Sequence, residues 1–531
     1  MITFSSHLKR IKYLTLTIIL LTFIGCSKDD IPSEDTNPRL GASEENTFKE
    51  DNTTISNEEN STTSGEDNTT ADNVKQFLWD HGTLKVSDNK HFIQHEDGTG
   101  FVWMADTAWH LARKLGPDDI DTYLKDRKKK GFNVILFSAA ELTGIRNAAI
   151  KANAFNNLDW KQPNDKYWEN IDHIVQKAED IGLYVGILPA WDQTDPKQGL
   201  LKVDDAKHYG NFIANRYKER KNIIWVIGGD TDNKDIETTD MNISKKLAWE
   251  ALGQAIEKVV GDTQLLTFHV RGVASSSGRF EKDEASWIDF NMIQSGHCAE
   301  MQVGVKVIEK DYSELNISRL KPTVDAESRY EDIIECFYKP LDMRPKDEEY
   351  RFKSNDVREM AYRQIFAGAF GHTYGHQSIW HMAPQAAPEP SENKSYLYST
   401  TKNWEDALEA EGARQMGYIV KLMQSRDMLS RIPDNSIITS NVDDNDANAV
   451  ATRGDGYVFV YLPKGATVTV KLGEIYGDTL RASWFDPRIG TATVIDNAIN
   501  KSVNTMEFDT GGTDDMILIL DDVNKNYTLF H

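Results

Sequence analysis

Asp230 closes the stretch 222–230, read NIIWVIGGD, in which five apolar residues run straight into two glycines and a carboxylate. A short continuous apolar run is the mark of a strand buried on both faces, so the pattern places this carboxylate where a strand ends. The glycines permit turn geometry and a close backbone approach that a Cβ would resist. A second carboxylate, Glu327, stands just past the strand-like run Lys321–Ala326. Hydrolysis of a glycosidic bond needs two carboxyl groups flanking that bond. One is protonated to help the leaving oxygen, and the other is ionised to attack or to activate water. Asp230 and Glu327 are the pair selected here, with Asp106, Glu141, Asp192, Asp325 and Glu331 as competitors. Asp325 shares side-chain parity with Glu327 and is expected to orient a neighbour. Glu331 lies farther from its strand and reads as a surface charge or a supporting partner.

Other apolar runs end in the same manner. Asp106, Trp109 and His110 follow the first, Ser138 and Glu141 the second, and Trp191 and Asp192 the third. His269 and Arg271 follow the fifth, Gln294 and His297 the sixth, Arg329 and Tyr330 join Glu327 after the seventh, and Tyr374, His376 and Trp380 belong to the eighth. Each residue taken singly has a plain structural explanation, a core Trp or a satisfied His. Together, acids, imidazoles, amides and indoles around one mouth suit a polyhydroxylated ligand, whose apolar ring faces stack on Trp and whose hydroxyls need donors and acceptors. The chain contains no HExxH, no CxxC and no tight His/Asp cluster at ligand spacing, so neither a metal nor another cofactor is expected.

These side chains must be held by an alternation of strands and helices. Candidate strands at 101–104, 132–137, 183–188, 222–227, 265–269, 290–294, 321–326 and 372–379 are mostly separated by helical spacings, among them 118–130, 167–181, 204–218, 244–260 and 357–370. Eight such strands within one stretch of chain fit a (β/α)8 barrel, in which catalytic groups gather at the C-terminal strand ends. A hairpin is expected around Gly82–Gly100, and a helix over Trp404–Met423 closes the barrel. Beyond Ile432, short alternating runs at 449–452, 457–462, 467–470, 481–485 and 516–520 predict an all-β sandwich whose role is packing on the barrel. The fold class is therefore α/β, a barrel with a C-terminal β domain. No Gly-rich phosphate loop follows any strand, which weakens nucleotide binding.

The chain has 531 residues and a net charge of −23. That excess of acid argues against a general electrostatic route to nucleic acid. Lys9, Arg10 and Lys12 precede the apolar segment Tyr13–Ile24, which is too short to span a membrane and reads as a signal peptide. Phe23-Ile24-Gly25-Cys26 resembles a bacterial lipobox, implying cleavage before Cys26 and lipidation of its sulfur. Ser27-Lys28-Asp29-Asp30 resembles the acidic export signal of surface lipoproteins in Bacteroidetes-type bacteria. Residues 27–73 are rich in Asn, Thr, Ser, Glu and Asp, and are expected to form a disordered acidic tether. Cys298 and Cys336 are the remaining cysteines, and an oxidising location permits but does not dictate their pairing.

The segments ADTAWHL (105–111), RYKERKNIIWVIGGD (216–230), TFHVRG (267–272), FNMIQSGH (290–297), KPTVDAESRYE (321–331) and AGAFGHTYG (367–375) resemble, in order, the apiosidase-like barrel family, glycoside hydrolase family 140 and its relatives. LPKG (462–465) and WFDPRIG (484–490) resemble the small β domain that accompanies it, often labelled collagen-binding, although collagen binding is not carried over. The resemblance implies retaining chemistry with the acid/base on Asp230 and the nucleophile on Glu327. Gly229-Asp230 stands where many related barrels have Asn-Glu. It further implies release of apiose-linked units from pectic side chains. The resulting expectation is a signal peptide and lipobox over 1–26, a tether over 27–73, a catalytic barrel over 74–431 and a β domain over 432–531. The whole would be an outer-membrane lipoprotein exposed at the cell surface, its partners a glycan substrate and, through the anchor alone, the membrane. The alternative is a non-catalytic glycan-binding lipoprotein, and a further rival is an adhesin acting through the β domain.

Overall fold

The computed structural model describes residues 77–140, 147–191, 201–231, 240–272, 274–280, 286–298, 301–337, 350–387, 396–441 and 448–530. All fall within one compact unit, Asn73–His531. The signal segment, Cys26, the tether, Glu141 and Asp192 lie outside the described residues. No helix among the described residues is long and apolar enough to cross a membrane.

Eight parallel strands, Trp103–Thr107, Val134–Ala140, Tyr184–Ala190, Ile223–Thr231, Leu266–Val270, Phe290–Ile293, Thr323–Asp325 and Gly371–Tyr374, pair in the order 7-6-5-4-3-2-1-8. The Phe370 N–H donates to the Thr323 carbonyl at 3.1 Å and joins the two ends of the sheet. The strands are buried on both faces, as their apolar runs require. Ile135, Phe137, Val185, Ile187, Trp225 and Phe268 pack outward against the helices, whereas Val134, Leu136, Ile224, Val226, Met292 and Val324 fill the interior.

Helices Pro117–Lys129, Asp165–Asp180, Val203–Tyr217, Asp240–Val260 and Ser354–Phe366 form where helical spacing predicts them. Pro117 opens the first at the position where its missing N–H costs nothing. Three expectations need correction. The eighth strand stops at Tyr374, and Gln377–Trp380 is a helical turn. A helix at Met301–Tyr312 was not anticipated. The closing helix is two helices, Trp404–Ala407 and Glu411–Gln424. The segment 82–100 carries strands Leu84–Val86 and Ile93–His95, extended by Gly100–Phe101 into a three-stranded meander.

The C-terminal region is a six-stranded antiparallel sheet covered on one face by the ribbon Thr467–Lys471/Thr505–Asp509. Strand Tyr457–Leu462 explains both faces through its period of two. Val458, Val460 and Leu462 pack with Val468, Val470 and Phe508 of the ribbon. Tyr457, Phe459 and Tyr461 face the barrel helices, with Tyr461 stacked on Tyr362 at 5.0 Å between centroids. Strands Thr491–Asn500 and Thr505–Asp509 lack apolar runs and were not anticipated.

Candidate active site

Backbone geometry at the end of the fourth strand aims the first carboxylate. Gly228, Gly229 and Asp230 have φ of 89°, 128° and 47°, three successive residues in the left-handed region. A Cβ on Gly228 would lie 2.7 Å from the His269 carbonyl, and one on Gly229 would lie 2.9 Å from the Trp191 ring. Only glycine fits these two places, while Asp tolerates the third. The pairing register with the fifth strand shifts between Gly228 and Thr231, a bulge that re-aims a side chain. Gly229→Ala is therefore expected to displace Trp191 and Asp230 together and to lower kcat/KM about ten- to a hundredfold. Steady-state kinetics beside a thermal melt checks this, since unfolding alone would lower the melting temperature and leave KM unchanged.

Glu327 lies two residues past the seventh strand, nearly buried. The Asp325 carboxylate accepts from the Glu327 N–H at 3.1 Å and from Gln364 Nε2 at 2.5 Å, so Asp325 holds the turn that carries Glu327. His297 Nε2 donates to Glu327 Oε1 at 3.1 Å, and His269 Nε2 lies 3.5 Å from Oε2. His297 is pinned in turn: Cys336 N–H donates to its carbonyl at 2.7 Å, and Cys298 is disulfide-bonded to Cys336 with their Cα atoms 4.7 Å apart.

One oxygen of Asp230, one of Glu327 and a ring nitrogen of His269 lie within 4.8 Å of one another. These donors are of metal-ligating type, a cluster invisible in the linear spacing and made by the fold. Gln294 fixes the rest, its carbonyl accepting from Gly272 N–H at 2.7 Å and its amide donating to Asp230 Oδ1 at 2.8 Å. The two carboxyls have opposite electrostatics. Burial, then repulsion from Glu327, raises the pKa of Asp230. Burial also opposes ionisation of Glu327, but the His297 hydrogen bond and the fields of His297 and His269 outweigh it and lower its pKa. One group thus favours its proton while its neighbour favours its charge.

A cavity of about 580 Å³ opens over this pair. Of the sequence-selected residues, Trp109, His110, Ser138, Trp191, Asp230, Arg271, Gln294, His297, Glu327, Tyr330 and Trp380 line it. His269 is fully buried just beneath, its ring 5.4 Å from Trp109 and 5.8 Å from Trp191. Trp109 Nε1 donates to the Tyr330 hydroxyl at 3.1 Å and sits 4.9 Å from Trp191, so two indoles wall one side.

Four selected residues are elsewhere. Asp106 points outward from the first strand, accepting from Tyr123 at 2.7 Å with Arg127 at 3.3 Å, and burial raises its pKa to about 6 despite that arginine. Tyr374 also points outward and donates to Glu331 at 2.6 Å. His376 caps the turn after the eighth strand, its Nδ1 accepting from Ser378 N–H at 3.0 Å. Glu331 accepts from Tyr374 and from the Gly412 N–H, a partnered group away from the cavity. Arg113, Phe337, Leu397 and Tyr398 line the cavity and were missed. They come from a helix start and long connections that carry no periodic signal.

The comparisons agree with this geometry. The family model "Apiosidase-like, catalytic domain" matches residues 87–430, and "Putative collagen-binding domain of a collagenase" matches 432–521. A solved glycoside hydrolase is 31% identical with a TM-score of 0.73, the match covering 85% of this chain and 99% of that one. A glycoside hydrolase family 5 protein from Bacteroides vulgatus ATCC 8482 is likewise 31% identical with a TM-score of 0.73, covering 85% and 95%. No curated protein matches significantly. With a family model over most of its length and a paired-carboxylate mouth in the matched barrel, the chain belongs to the apiosidase-like family and is a glycosidase.

Proposed function

We propose that this glycosidase retains anomeric configuration and acts on pectic side chains from the outer surface of a cell, held there by lipid on Cys26. The observation that carries the mechanism is the carboxyl spacing. Retaining enzymes hold their carboxyls about 5–5.5 Å apart, whereas inverting enzymes need about 6.5–9.5 Å to admit a water, and Asp230 and Glu327 bring one oxygen each within 4.8 Å of the other, a closest approach that favours the shorter spacing. In the first step ionised Glu327 attacks the anomeric carbon. The bond to the leaving oxygen breaks as Asp230 delivers its proton there, forming a glycosyl ester on Glu327. In the second step Asp230 takes a proton from water, the water oxygen attacks the same carbon, and Glu327 leaves as carboxylate. Gln294 donates to one oxygen of Asp230, leaving the other for the travelling proton.

The pectic substrate is inferred from kinship with the apiosidase-like family. A panel of pectic fragments, with product identification and NMR of the first-formed anomer, tests both parts. Release of a sugar with retained configuration is expected. An inverted product overturns the mechanism, and binding of every fragment without turnover favours the glycan-binding alternative.

The lipidation reading predicts that Cys26→Ser moves the protein from the membrane fraction to the soluble fraction while kcat/KM stays within about twofold, since residue 26 lies far in sequence from every site group. Protection of the folded part from protease in intact cells would argue against surface display.

A further inference from the structure

Across the cavity from Asp230 lies an aromatic group that the two-step chemistry does not use. Strand eight stands four places from strand four around the ring, and the segments after it supply Trp380 and Tyr398. Tyr398 is 50% exposed, whereas the other rings lining the cavity are buried or half-buried. It stacks on Trp380 at 5.7 Å and 30°, and His381 meets it edge-on at 5.3 Å and 87°.

Hydrogen bonds tie the support beneath. Trp380 Nε1 donates to Gln377 Oε1 at 3.0 Å, and Gln377 Nε2 donates to the carbonyls of Leu397 and Ser399 at 2.7 and 3.0 Å, the residues on either side of Tyr398. A single buried amide therefore ties the indole and the tyrosine backbone into one unit. An exposed ring held in place in this way costs little ordering entropy when a ligand covers it, and its apolar face matches the C–H face of a sugar ring.

We infer that Tyr398, backed by Trp380, is a binding platform for a further sugar unit remote from Asp230, so that the substrate is an oligosaccharide or polysaccharide chain engaged at more than the cleaved linkage. The inference rests on the glycosidase reading of the same cavity and adds a specificity-determining residue to it. Arg113, from helix Leu111–Lys114, and His110, whose ring lies 5.3 Å from Trp380, border the platform and offer polar contacts to ring hydroxyls.

The test compares oligosaccharides from partial hydrolysis of pectin with 4-nitrophenyl glycosides of the constituent sugars. Tyr398→Ala is expected to lower kcat/KM about tenfold on the oligosaccharides, through KM, well beyond any change on the nitrophenyl glycosides. Tyr398→Phe, which keeps the ring, should restore most of the loss. Equal losses on both substrate types, or no loss on the oligosaccharides, overturn the platform. If the wild-type protein turns over neither substrate, the hydrolytic reading fails instead. Calorimetric titration of Glu327→Gln with the oligosaccharides, with and without Tyr398→Ala, then decides the platform separately. Weaker binding on removal of the ring supports it, and unchanged or undetectable binding overturns it.

Discussion

Glu327→Gln is expected to abolish turnover, a loss of about 10⁴-fold or more, on every substrate whatever its leaving group. The amide keeps the shape and removes the charge that attacks carbon. His297 Nε2 would still find an acceptor oxygen 3.1 Å away, so the fold should survive. Asp230→Asn should behave differently. General acid assistance contributes about 10²–10⁴-fold, and a phenolate leaving group needs little of it, so the loss should be smallest on nitrophenyl glycosides. Azide should then rescue the second step of the Asp230 variant and give a glycosyl azide of retained configuration. The pH profile follows from the same two groups. Glu327, its pKa lowered, must be ionised, so activity falls as pH drops through that pKa. Asp230, its pKa raised, must be protonated, so activity falls as pH rises through its own. The wild-type profile of kcat/KM should be a bell, and Asp230→Asn should remove the alkaline limb. Near-normal turnover by Glu327→Gln, or an alkaline limb that persists in Asp230→Asn, would move the roles to other carboxylates.

The second large effect is on stability. Arg426, just after helix Glu411–Gln424, makes two hydrogen bonds to Asp521 of the β sheet, at 2.9 and 2.8 Å, with both side chains essentially inaccessible to water. Its guanidinium also lies 4.6 Å from the centroid of Tyr527. Removing one partner of a buried pair leaves the other charge unpaired, which costs about 3–5 kcal/mol. Arg426→Ala should lose stability on that scale in urea titration, since Arg481, which bonds Asp521 at 2.8 Å, is partly exposed and compensates only in part. The double variant Arg426→Met/Asp521→Leu should lose less, because it removes the buried carboxylate along with its buried partner, and the Arg481 left behind is partly exposed and keeps its bond to the Tyr527 carbonyl. A second buried pair, Arg358 with Asp515 at 2.7 and 2.8 Å, also joins barrel to β sheet. These pairs give the β domain a packing role on the barrel that does not depend on any ligand of its own. Loss by the double variant equal to that of Arg426→Ala would mean that packing, and not the unpaired charge, sets the cost.

The amino-acid sequence by itself determined the barrel, because a parallel strand covered on both faces must be an uninterrupted apolar run and the helices between must repeat at their own period. It also determined which runs end in carboxylates, and Asp230 and Glu327 meet at one mouth as that reading required. The same continuity that reveals the strands hides their parity. Trp103, Met104 and Ala105 are all apolar, so nothing in the run says that Asp106 turns outward to Arg127, or that Tyr374 does likewise toward Glu331. In the β domain the converse holds: Thr491–Asn500 is a largely exposed edge strand and carries no apolar run to announce it. Tertiary structure alone decided the rest. Cys298 and Cys336, separated by 38 residues, pair because two connections at the strand ends converge, and Tyr398 reaches the cavity because Gln377 ties its neighbours down. Opposite protonation preferences on Asp230 and Glu327 are likewise tertiary. A carboxyl group takes its pKa from what surrounds it in space, and residues 269, 294 and 297 come to these acids only when the barrel closes.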